Sequence, residues 1–351
     1  MKEISYGEFS LQKHSAAADG KIVSAQFELT FRCGLRCRHC YCACYNNRDF
    51  LKEELSLEDV RSILDELKHS GALWLCLTGG DPLSRPDFPL IYSYAVKLGF
   101  IVTVFTPADR LSADTEECLR KNPPFLMEVT VNACDEFLYE RISGVKGSYK
   151  RVMANLLRLK KAGVPLKIKT QITRDNFGRT APVEDFARGQ GFLYSDTYDL
   201  YPTLEGDVSV CALRVPPEQI ARGRTGPPGD PLRCSFPRRQ GRGPDRVFFC
   251  PAGEGRELYI DPRGRVFLCP LIRNTGVVLL RRGVRGALAR LRPLFLDRRY
   301  RGWSECRKCR LSAYCLRCPG EAYLETGDPE APVPYYCELA GRLSAAGRRA
   351  R

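Results

Sequence analysis

The residues most able to do chemistry in this sequence are its cysteines, of which there are 17 beside only three histidines. Cys33, Cys37 and Cys40 lie close together in the order Cys-Gly-Leu-Arg-Cys-Arg-His-Cys. Three thiolates at this spacing can bind three irons of a [4Fe–4S] cluster, which is usually held by four cysteines. A loop that supplies only three therefore leaves one iron open for a ligand other than the protein.

Whether so many cysteines form disulfides or bind metals depends on the compartment in which the chain works. The first residues, MKEISYGEFS, contain no apolar stretch that would mark a secretory signal, and no segment approaches the roughly 20 apolar residues of a membrane span. We therefore expect a cytoplasmic protein whose cysteines serve metal or redox chemistry rather than disulfides. The cysteines that we expect only to pack as small apolar residues are Cys42, Cys44, Cys76, Cys118, Cys134 and Cys211.

Predicted strands and helices alternate along the part of the chain that must position these three thiols. Between residues 25 and 200, short β-rich runs and helical patterns form about six units of roughly 30 residues, which is typical of a parallel sheet wound into a barrel. About six units fall short of a closed barrel, so we predict an α/β fold with a partial (β/α)6 TIM-like barrel. The predicted strands are 25–31, 72–78, 100–105, 125–131, 165–173 and 191–200, and the predicted helices are 57–71, 87–98, 113–121, 148–163 and 182–189.

A second motif follows the second predicted strand, where Gly79 and Gly80 precede Asp81 and Pro82. In barrels of this kind, chemistry gathers at the carboxyl ends of the strands. Two glycines at such an end let the backbone approach a ligand closely, and the strand edge offers carbonyl groups to an ammonium ion. The turn is thus a candidate binding site beside the cysteine loop, which follows the first strand.

The composition changes after the barrel. Residues 223–244 contain ten Gly or Pro in 22 positions, which favours a linker. The region beyond is dense in cysteine, shows little periodicity, and contains a predicted hairpin at 259–268. We expect a small domain that metal, rather than a large apolar core, stabilises. The predicted boundaries are an N-terminal extension over 1–24, the barrel over 25–210, a linker over 211–245 and a cysteine-rich domain over 246–345.

Charge is concentrated in the same part of the chain. The formal net charge is +14, and residues 222–310 contain 22 Lys and Arg against seven Asp and Glu. This excess indicates a face that binds anions or acidic peptides, or an arginine-rich surface that only contacts water. Because the remainder is nearly neutral, a general nucleic-acid binder is disfavoured.

Together, the cysteine loop and the Gly-Gly-Asp-Pro turn resemble the radical S-adenosylmethionine (radical SAM) superfamily. The resemblance implies that the open iron binds the amino and carboxylate groups of SAM, which an electron then cleaves to methionine and a 5′-deoxyadenosyl radical. His39 stands where an aromatic residue is usual, and Asp81 replaces the glutamate of the usual Gly-Gly-Glu-Pro motif. By this resemblance the cofactor contacts are His39, Gly79, Gly80, Asp81, Pro82, Asn132 and Gln171.

The cysteines after the linker resemble the SPASM domain, a seven-cysteine extension of radical SAM enzymes that act on peptides and proteins. The resemblance implies two auxiliary [4Fe–4S] clusters, one held by Cys306, Cys309, Cys315 and Cys337, the other by Cys250, Cys269 and Cys318. The second set lacks a fourth ligand, for which Cys234 is a candidate that we do not favour; otherwise an iron is open to a substrate thiolate. Cys315 and Cys318 are one residue closer than usual, and this spacing also matches a zinc ribbon.

The function implied is modification of a peptide or protein, typically the maturation of a ribosomally made peptide by a thioether or carbon–carbon cross-link. The alternatives are a sulfatase-maturating, a quinone-cofactor or a haem-pathway radical SAM enzyme. Outside that class stand an iron–sulfur electron carrier and a zinc-dependent nucleic-acid binder. The polar strand end 198–201 faces the expected substrate cavity, but no catalytic acid or base is assigned.

The expected partners are a peptide or protein substrate and a reductant such as flavodoxin or ferredoxin. Only about 24 residues precede the first predicted strand, so we expect any leader peptide to be read by a separate protein or by the arginine-rich segment. Neither a membrane nor a nucleic acid is an expected partner.

Overall fold

The computed structural model describes residues 22–42, 47–223, 245–248 and 250–349. Its strands are β1 (Ser24–Glu28), β2 (Trp74–Thr78), β3 (Ile101–Thr106), β4 (Leu126–Thr130), β5 (Leu166–Gln171), β6 (Leu193–Thr197), β7 (Glu257–Ile260), β8 (Arg265–Phe267) and β9 (Val277–Val278). They form one sheet in the order β6-β5-β4-β3-β2-β1-β7-β8-β9. Pairing is parallel from β6 through β1 to β7, whereas β8 and β9 are added antiparallel.

The helices lie between and after these strands. They are α1 (Arg48–Lys52), α2 (Leu57–His69), α3 (Phe88–Lys97), α4 (Ala113–Lys121), α5 (Glu136–Ser143), α6 (Ser148–Lys161), α7 (Ala181–Gly189), α8 (Pro217–Gly223), α9 (Pro251–Glu254), α10 (Leu279–Phe295), α11 (Pro319–Thr326) and α12 (Pro334–Arg349). None of these helices is long and apolar enough to cross a membrane.

Local sequence explains why the barrel elements form. The Ser56 side chain accepts a hydrogen bond from the Asp59 N–H at 3.1 Å, and the Asp59 carboxylate reaches back to Ser56. This capping box satisfies N–H groups that the first turn of α2 leaves unpaired. The apolar stripe of α2 is fully buried against the sheet, and it consists of Val60, Ile63, Leu64 and Leu67.

The prediction of six parallel strands joined by helices is confirmed, and each of the predicted helices is present. The sequence analysis missed α5, which begins where the Asp135 carboxylate accepts the Leu138 N–H at 2.7 Å and ends at Gly144 with φ 71°. It also missed α10 and α12. Gly283, with φ 63°, and Pro293 interrupt the helical pattern of α10.

Among the described residues, the cysteine-rich part adds its strands to the barrel sheet and forms no sheet of its own. Strand β7 lies alongside β1, with Ser24 paired to Glu257 and Phe27 to Ile260. The predicted hairpin is present as β7 and β8, and Gly264 turns it with φ 72°. The barrel sheet therefore continues directly into the C-terminal region.

Ion pairs join the barrel to the C-terminal region. Glu28, nearly buried on β1, accepts a hydrogen bond at 2.9 Å from Arg273, which follows β8. Buried Arg214 donates to Glu321 at 2.7 Å and to the Leu200 carbonyl at 3.0 Å. Because the Arg214 contacts are buried and charge-assisted, they fix the end of β6 relative to α11.

The predicted linker over 211–245 differs from the structure at its beginning. Residues 217–223 form α8, and Val215 and Ile220 are buried in a small apolar cluster with Tyr336 and Leu339 of α12. The Gly- and Pro-rich residues 224–244, with Cys234, lie outside the described part of the chain.

Candidate functional site

The loop that carries Cys33, Cys37 and Cys40 leaves the carboxyl end of β1, where the sequence analysis placed it. All three thiols are half-buried. The Leu35 N–H points at the Cys33 sulfur at 3.4 Å, and the Cys40 N–H bonds the Cys37 carbonyl at 3.1 Å. These contacts make the loop compact.

Backbone hydrogen bonds anchor this loop to the C-terminal end of α5. The Arg36 N–H donates to the Ser143 carbonyl at 2.8 Å, and the Arg38 N–H donates to the Ile142 carbonyl at 3.0 Å. A methyl group on Gly144 would lie 2.5 Å from the Arg36 carbonyl oxygen, so only glycine fits there. The loop geometry therefore depends on α5, a helix that the sequence analysis missed.

The donor set fits an iron–sulfur cluster. Burial raises the pKa of Cys33 and of Cys37 to about 12, and each thiol also lies in the field of another, Cys40 for Cys33 and Cys33 for Cys37. Crowded, buried thiols stay protonated without a cation, whereas bound iron stabilises the thiolates. Among the described residues, no three His, Cys, Asp or Glu side chains converge on a single metal ion. A cluster does not require such convergence, because each thiolate binds a different iron.

The glycine turn after β2 packs directly against the start of the cysteine loop. The Gly80 N–H donates to the Thr30 carbonyl at 2.9 Å, and the Asp81 N–H donates to the Arg32 carbonyl at 2.7 Å. Gly79 has φ 136°, and a methyl group on Gly80 would lie 2.3 Å from the Arg32 oxygen. Because larger side chains do not fit, the two motifs can lie in contact only with glycine at both positions.

Asp81 is completely buried beneath this turn. Its Oδ1 accepts hydrogen bonds from Thr106 Oγ1 at 2.6 Å and from the Leu83 N–H at 3.1 Å, where Pro82 begins a short 3₁₀ turn. Its Oδ2 is buried without a hydrogen-bond partner in the described part of the chain. Burial raises the pKa of Asp81 to about 6. An unpaired buried carboxylate oxygen at this position fits an ammonium group, as the resemblance implies.

The other predicted cofactor contacts lie at the same edge of the sheet. Asn132 follows β4, and its Oδ1 accepts the Gln171 N–H at 2.9 Å. Gln171 ends β5, and its Nε2 donates to the Thr197 carbonyl at 3.2 Å. These two side chains therefore link neighbouring strand ends. The Nδ1 of His39 is buried without a partner among the described residues, and burial lowers the pKa of this imidazole to about 4, so it is neutral at pH 7.

Asp109 is a site residue that the sequence analysis missed. It is buried beside the cysteine loop, where a methyl group on Gly34 would lie 1.9 Å from its Oδ2. Arg151 of α6 donates to its Oδ1 at 2.7 Å, and the preceding Ala108 has a left-handed φ of 55°. Such backbone strain is maintained only where the surroundings fix it. The position of Asp109 just after β3 was the signal that could have identified it.

The C-terminal cysteines fall into two electrostatic groups. The pKa of Cys306 is raised by burial and by the nearby thiols of Cys315, Cys337 and Cys309. The pKa of Cys337 is raised by burial and by Cys315 and Cys309. These four thiols therefore share one neighbourhood, and within it Cys309 and Cys337 are exposed to solvent.

Cys318 belongs to the other group, although it lies only three residues after Cys315. Its pKa is raised by complete burial and by the thiols of Cys269 and Cys250. A methyl group on Gly320 would lie 3.0 Å from the Cys269 sulfur, which shows how closely the start of α11 approaches this group. A zinc ribbon would instead require Cys318 to join Cys306, Cys309 and Cys315. Cys234, the candidate fourth ligand, lies outside the described residues.

Of the cysteines expected only to pack, Cys42 is buried and Cys44 lies outside the described residues. Burial raises the pKa of Cys76 to about 12, and the Cys118 thiol donates to the Pro89 carbonyl at 3.6 Å. Cys134 and Cys211 are half-buried.

A comparison with protein-family models matches residues 27–173 to the radical SAM superfamily. Among curated proteins, an AdoMet-dependent heme synthase of Methanosarcina barkeri is 28% identical over 183 residues, which are 52% of this chain and 52% of that protein. The chain thus aligns with about half the length of this relative. A PqqA peptide cyclase of Streptomyces rochei is 26% identical over 330 residues, which are 88% of this chain and 87% of the cyclase.

Two solved structures share the fold across nearly the whole chain. Streptococcus suis SuiB bound to its precursor peptide SuiA has a TM-score of 0.69 at 16% identity, over 95% of this chain and 80% of SuiB. The anSMEcpe protein with bound AdoMet has a TM-score of 0.66 at 13% identity, over 93% of this chain and 98% of that protein. The partial barrel and its C-terminal region are therefore a known architecture.

Proposed function

We infer that this chain, which belongs to the radical SAM superfamily, cleaves S-adenosylmethionine reductively and uses the resulting radical to modify a peptide or protein. The observation that carries this inference is the contact between the two motifs. The Gly80 and Asp81 N–H groups bond the Thr30 and Arg32 carbonyls at 2.9 and 2.7 Å. A ligand bound to an iron at the cysteine loop would therefore also lie against the glycine turn.

The chain's own residues hold and orient the reactants in this proposal. Cys33, Cys37 and Cys40 would hold a [4Fe–4S] cluster, and Gly79 and Gly80 keep the turn bare enough for SAM to approach. When bound, the cluster supplies the electron that splits the SAM sulfonium.

The remaining contacts would bind the nucleotide. Asp81 Oδ2, buried and unpaired among the described residues, would accept a hydrogen bond from the SAM amino group. Pro82 begins the short turn that fixes Asp81. His39, a neutral ring at pH 7, would lie beside the cluster in the cysteine loop. Asn132 and Gln171 at the neighbouring strand ends would contact the ribose and carboxylate.

The two C-terminal thiol groups would hold auxiliary [4Fe–4S] clusters, as a SPASM domain does. Support for this assignment comes from the separation of Cys318 from Cys306, a separation that disfavours a zinc ribbon. We keep the domain limits proposed from the sequence except at two points: α8 occupies the start of the proposed linker, and β7 continues the barrel sheet.

A peptide substrate is supported by the relative that aligns over most of both chains, which is named a peptide cyclase. SuiB, with the same fold, was solved with a precursor peptide. We propose cross-linking of a ribosomally made peptide in the cytoplasm, with a flavodoxin or ferredoxin as reductant. A separate leader-binding protein is a further proposed partner.

A second candidate is the haem-pathway reaction, because the heme synthase of Methanosarcina barkeri is 28% identical over its aligned residues, against 26% for the peptide cyclase. Its alignment covers only 52% of this chain, which is the reason for ranking it second. Release of CO₂ from a carboxylated porphyrin by the reconstituted enzyme would favour this candidate over peptide modification.

The decisive experiment is anaerobic reconstitution with iron and sulfide, followed by incubation with SAM and dithionite. We expect about 12 irons per chain, three clusters of four, and release of 5′-deoxyadenosine. Cys37→Ala should abolish that release, whereas Cys309→Ala should retain part of it. Bound zinc with iron near zero would overturn the proposal.

A further inference from the structure

One cluster-ligand group reaches the protein surface. Cys309 and Cys337 are exposed, whereas the other cysteines proposed as ligands are half-buried or buried. Trp303 and Tyr314 lie along the same segment with 71% and 37% of their surfaces exposed. We call this surface the Trp303 face, formed by Trp303, Lys308, Cys309, Arg310 and Tyr314.

The indole of this face is held in place although it is exposed. The Arg301 guanidinium lies 4.2 Å from the centre of the Trp303 ring, and Arg301 itself pairs with Asp328 and Glu330. A cation above an indole is stabilising even at the surface. A large aromatic side chain that is ordered and exposed is typical of an anchor for a protein partner.

The charges of the Trp303 face are positive. Lys308 and Arg310 are both exposed, and neither forms an ion pair with another described residue. Arg307, between the cysteines, is already paired with Asp245 at 2.8 Å. Glu305 on the same segment is an exposed acid. Two free cations beside an exposed aromatic ring favour a partner with an acidic surface.

Two tyrosine rings lie between the buried Cys318 group and the cysteine loop. Cys315 of the exposed group is three residues from buried Cys318. The Tyr201 hydroxyl lies within electrostatic reach of Cys318, which adds to the effect of burial and of Asp199 in raising the pKa of this tyrosine. The Tyr201 ring meets the Tyr41 ring edge-on, with centroids 6.5 Å apart, and Tyr41 directly follows Cys40.

We propose that the Trp303 face is the docking surface for an acidic one-electron carrier protein of the flavodoxin type. The inference rests on the proposed function, because it assigns an entry point to a centre held by Cys306, Cys309, Cys315 and Cys337. Those four thiols would hold the cluster that takes up one electron from the reduced flavin of the carrier, with no bond made or broken. The aromatic ring provides contact area, and the two cations orient the carrier.

The test uses the full-length reconstituted enzyme and a bacterial flavodoxin with an acidic surface, at low and at 0.5 M salt. Lys308→Glu/Arg310→Glu is compared with Lys97→Glu/Lys161→Glu, which makes the same charge change on two exposed lysines of barrel helices α3 and α6. Flavodoxin affinity and the rate of flavin oxidation are measured for both variants and for Trp303→Ala. Dithionite reduction serves as the chemical control for each protein.

We expect Lys308→Glu/Arg310→Glu to bind flavodoxin about tenfold more weakly at low salt and to oxidise the flavin about tenfold more slowly. The barrel variant and the dithionite rates should stay unchanged, and salt should remove most of the difference. Equal losses in both variants would overturn the proposal, as would loss of binding to an acidic peptide but not to flavodoxin. If no cluster assembles around Cys309, then iron content and the dithionite spectrum will show that the proposed function itself has failed.

Discussion

The barrel mouth and the C-terminal thiol groups position similar ligands by different means. At the mouth, β1 and β2 pair over five residues each, and backbone hydrogen bonds join the glycine turn to the cysteine loop. Around Cys306 and Cys315 the chain forms only short 3₁₀ turns, at Glu305–Lys308 and Ser312–Tyr314. The sheet thus preforms one site, whereas we expect the other to depend on the metal that we propose it binds.

The largest expected effect is at the preformed site. Gly80→Ala would place a methyl group 2.3 Å from the Arg32 carbonyl oxygen, and backbone atoms there cannot move aside cheaply. We expect release of 5′-deoxyadenosine to fall by roughly 100-fold, because a small displacement of positioning groups has such an effect. Gly302→Ala, whose methyl group would meet no atom within 4 Å, is the matched control and should remain active. Full activity of the Gly80 variant would contradict a preformed mouth.

Metal removal should change amide exchange in the C-terminal thiol region but not in the barrel. When iron is chelated, we expect amide hydrogens over 304–318 to exchange at least about tenfold faster, because few backbone hydrogen bonds hold that segment. Amides of β2 and β4 should exchange at an unchanged rate, since the sheet holds them without metal. Hydrogen exchange followed by mass spectrometry measures both in one sample. An equal increase in exchange rate along the whole chain would show that the barrel also depends on its cluster.

The buried Arg214–Glu321 pair connects the two regions, so its removal should be costly. Arg214→Met leaves the carboxylate of Glu321 buried beside Glu325 without its cation. We expect a loss of about 3–5 kcal/mol in the free energy of unfolding by urea. Arg188→Met breaks an exposed pair with Glu184 and should lose no more than about 1 kcal/mol. Equal losses for the two variants would show that the buried pair contributes no more to the free energy of unfolding than the exposed pair does.

The smallest expected effect is a pH dependence at the mouth. Burial raises the pKa of Asp81 to about 6, so its carboxylate forms as the pH rises through that value. SAM should therefore bind about tenfold more tightly at pH 7 than at pH 5. Asp81→Asn should show a weaker and flatter profile in equilibrium binding. A wild-type slope in this variant would assign the titration to another group.

The folding stability of the ligand-free protein changes with pH in the opposite direction to SAM binding. A carboxyl group whose pKa is higher in the folded than in the unfolded state contributes stability at low pH. For Asp81 this contribution is present below pH 4 and is lost as the pH rises through about 6. The gain in SAM binding above pH 6 is therefore accompanied by a small loss in folding stability.

Most of the barrel could be predicted from the sequence because its signals are local. The strands are short apolar runs, and Ser56 and Asp59 mark the start of α2 by their spacing alone. The cysteine loop and the glycine turn were also identified locally, and the structure brings them into contact. Their binding of a cluster and of SAM stays a prediction.

The features that sequence reasoning missed depend on contacts between distant segments. Pairing of Ser24 with Glu257 joins residues that lie more than 200 positions apart. Asp109 becomes part of the site only because Gly34 and Arg151 surround it after folding. In α10, Gly283 and Pro293 conceal a helix that packing against α2 stabilises.

The pairing of β7 with β1 has a consequence for how the chain can be divided. In the open barrel, β1 would otherwise end the sheet with a row of unpaired N–H and C=O groups, which promotes association between chains. A fragment that stops at residue 223 would carry that bare edge into solution. Such a fragment should aggregate during expression, so attempts to study the barrel in isolation are better served by a cut placed after β9.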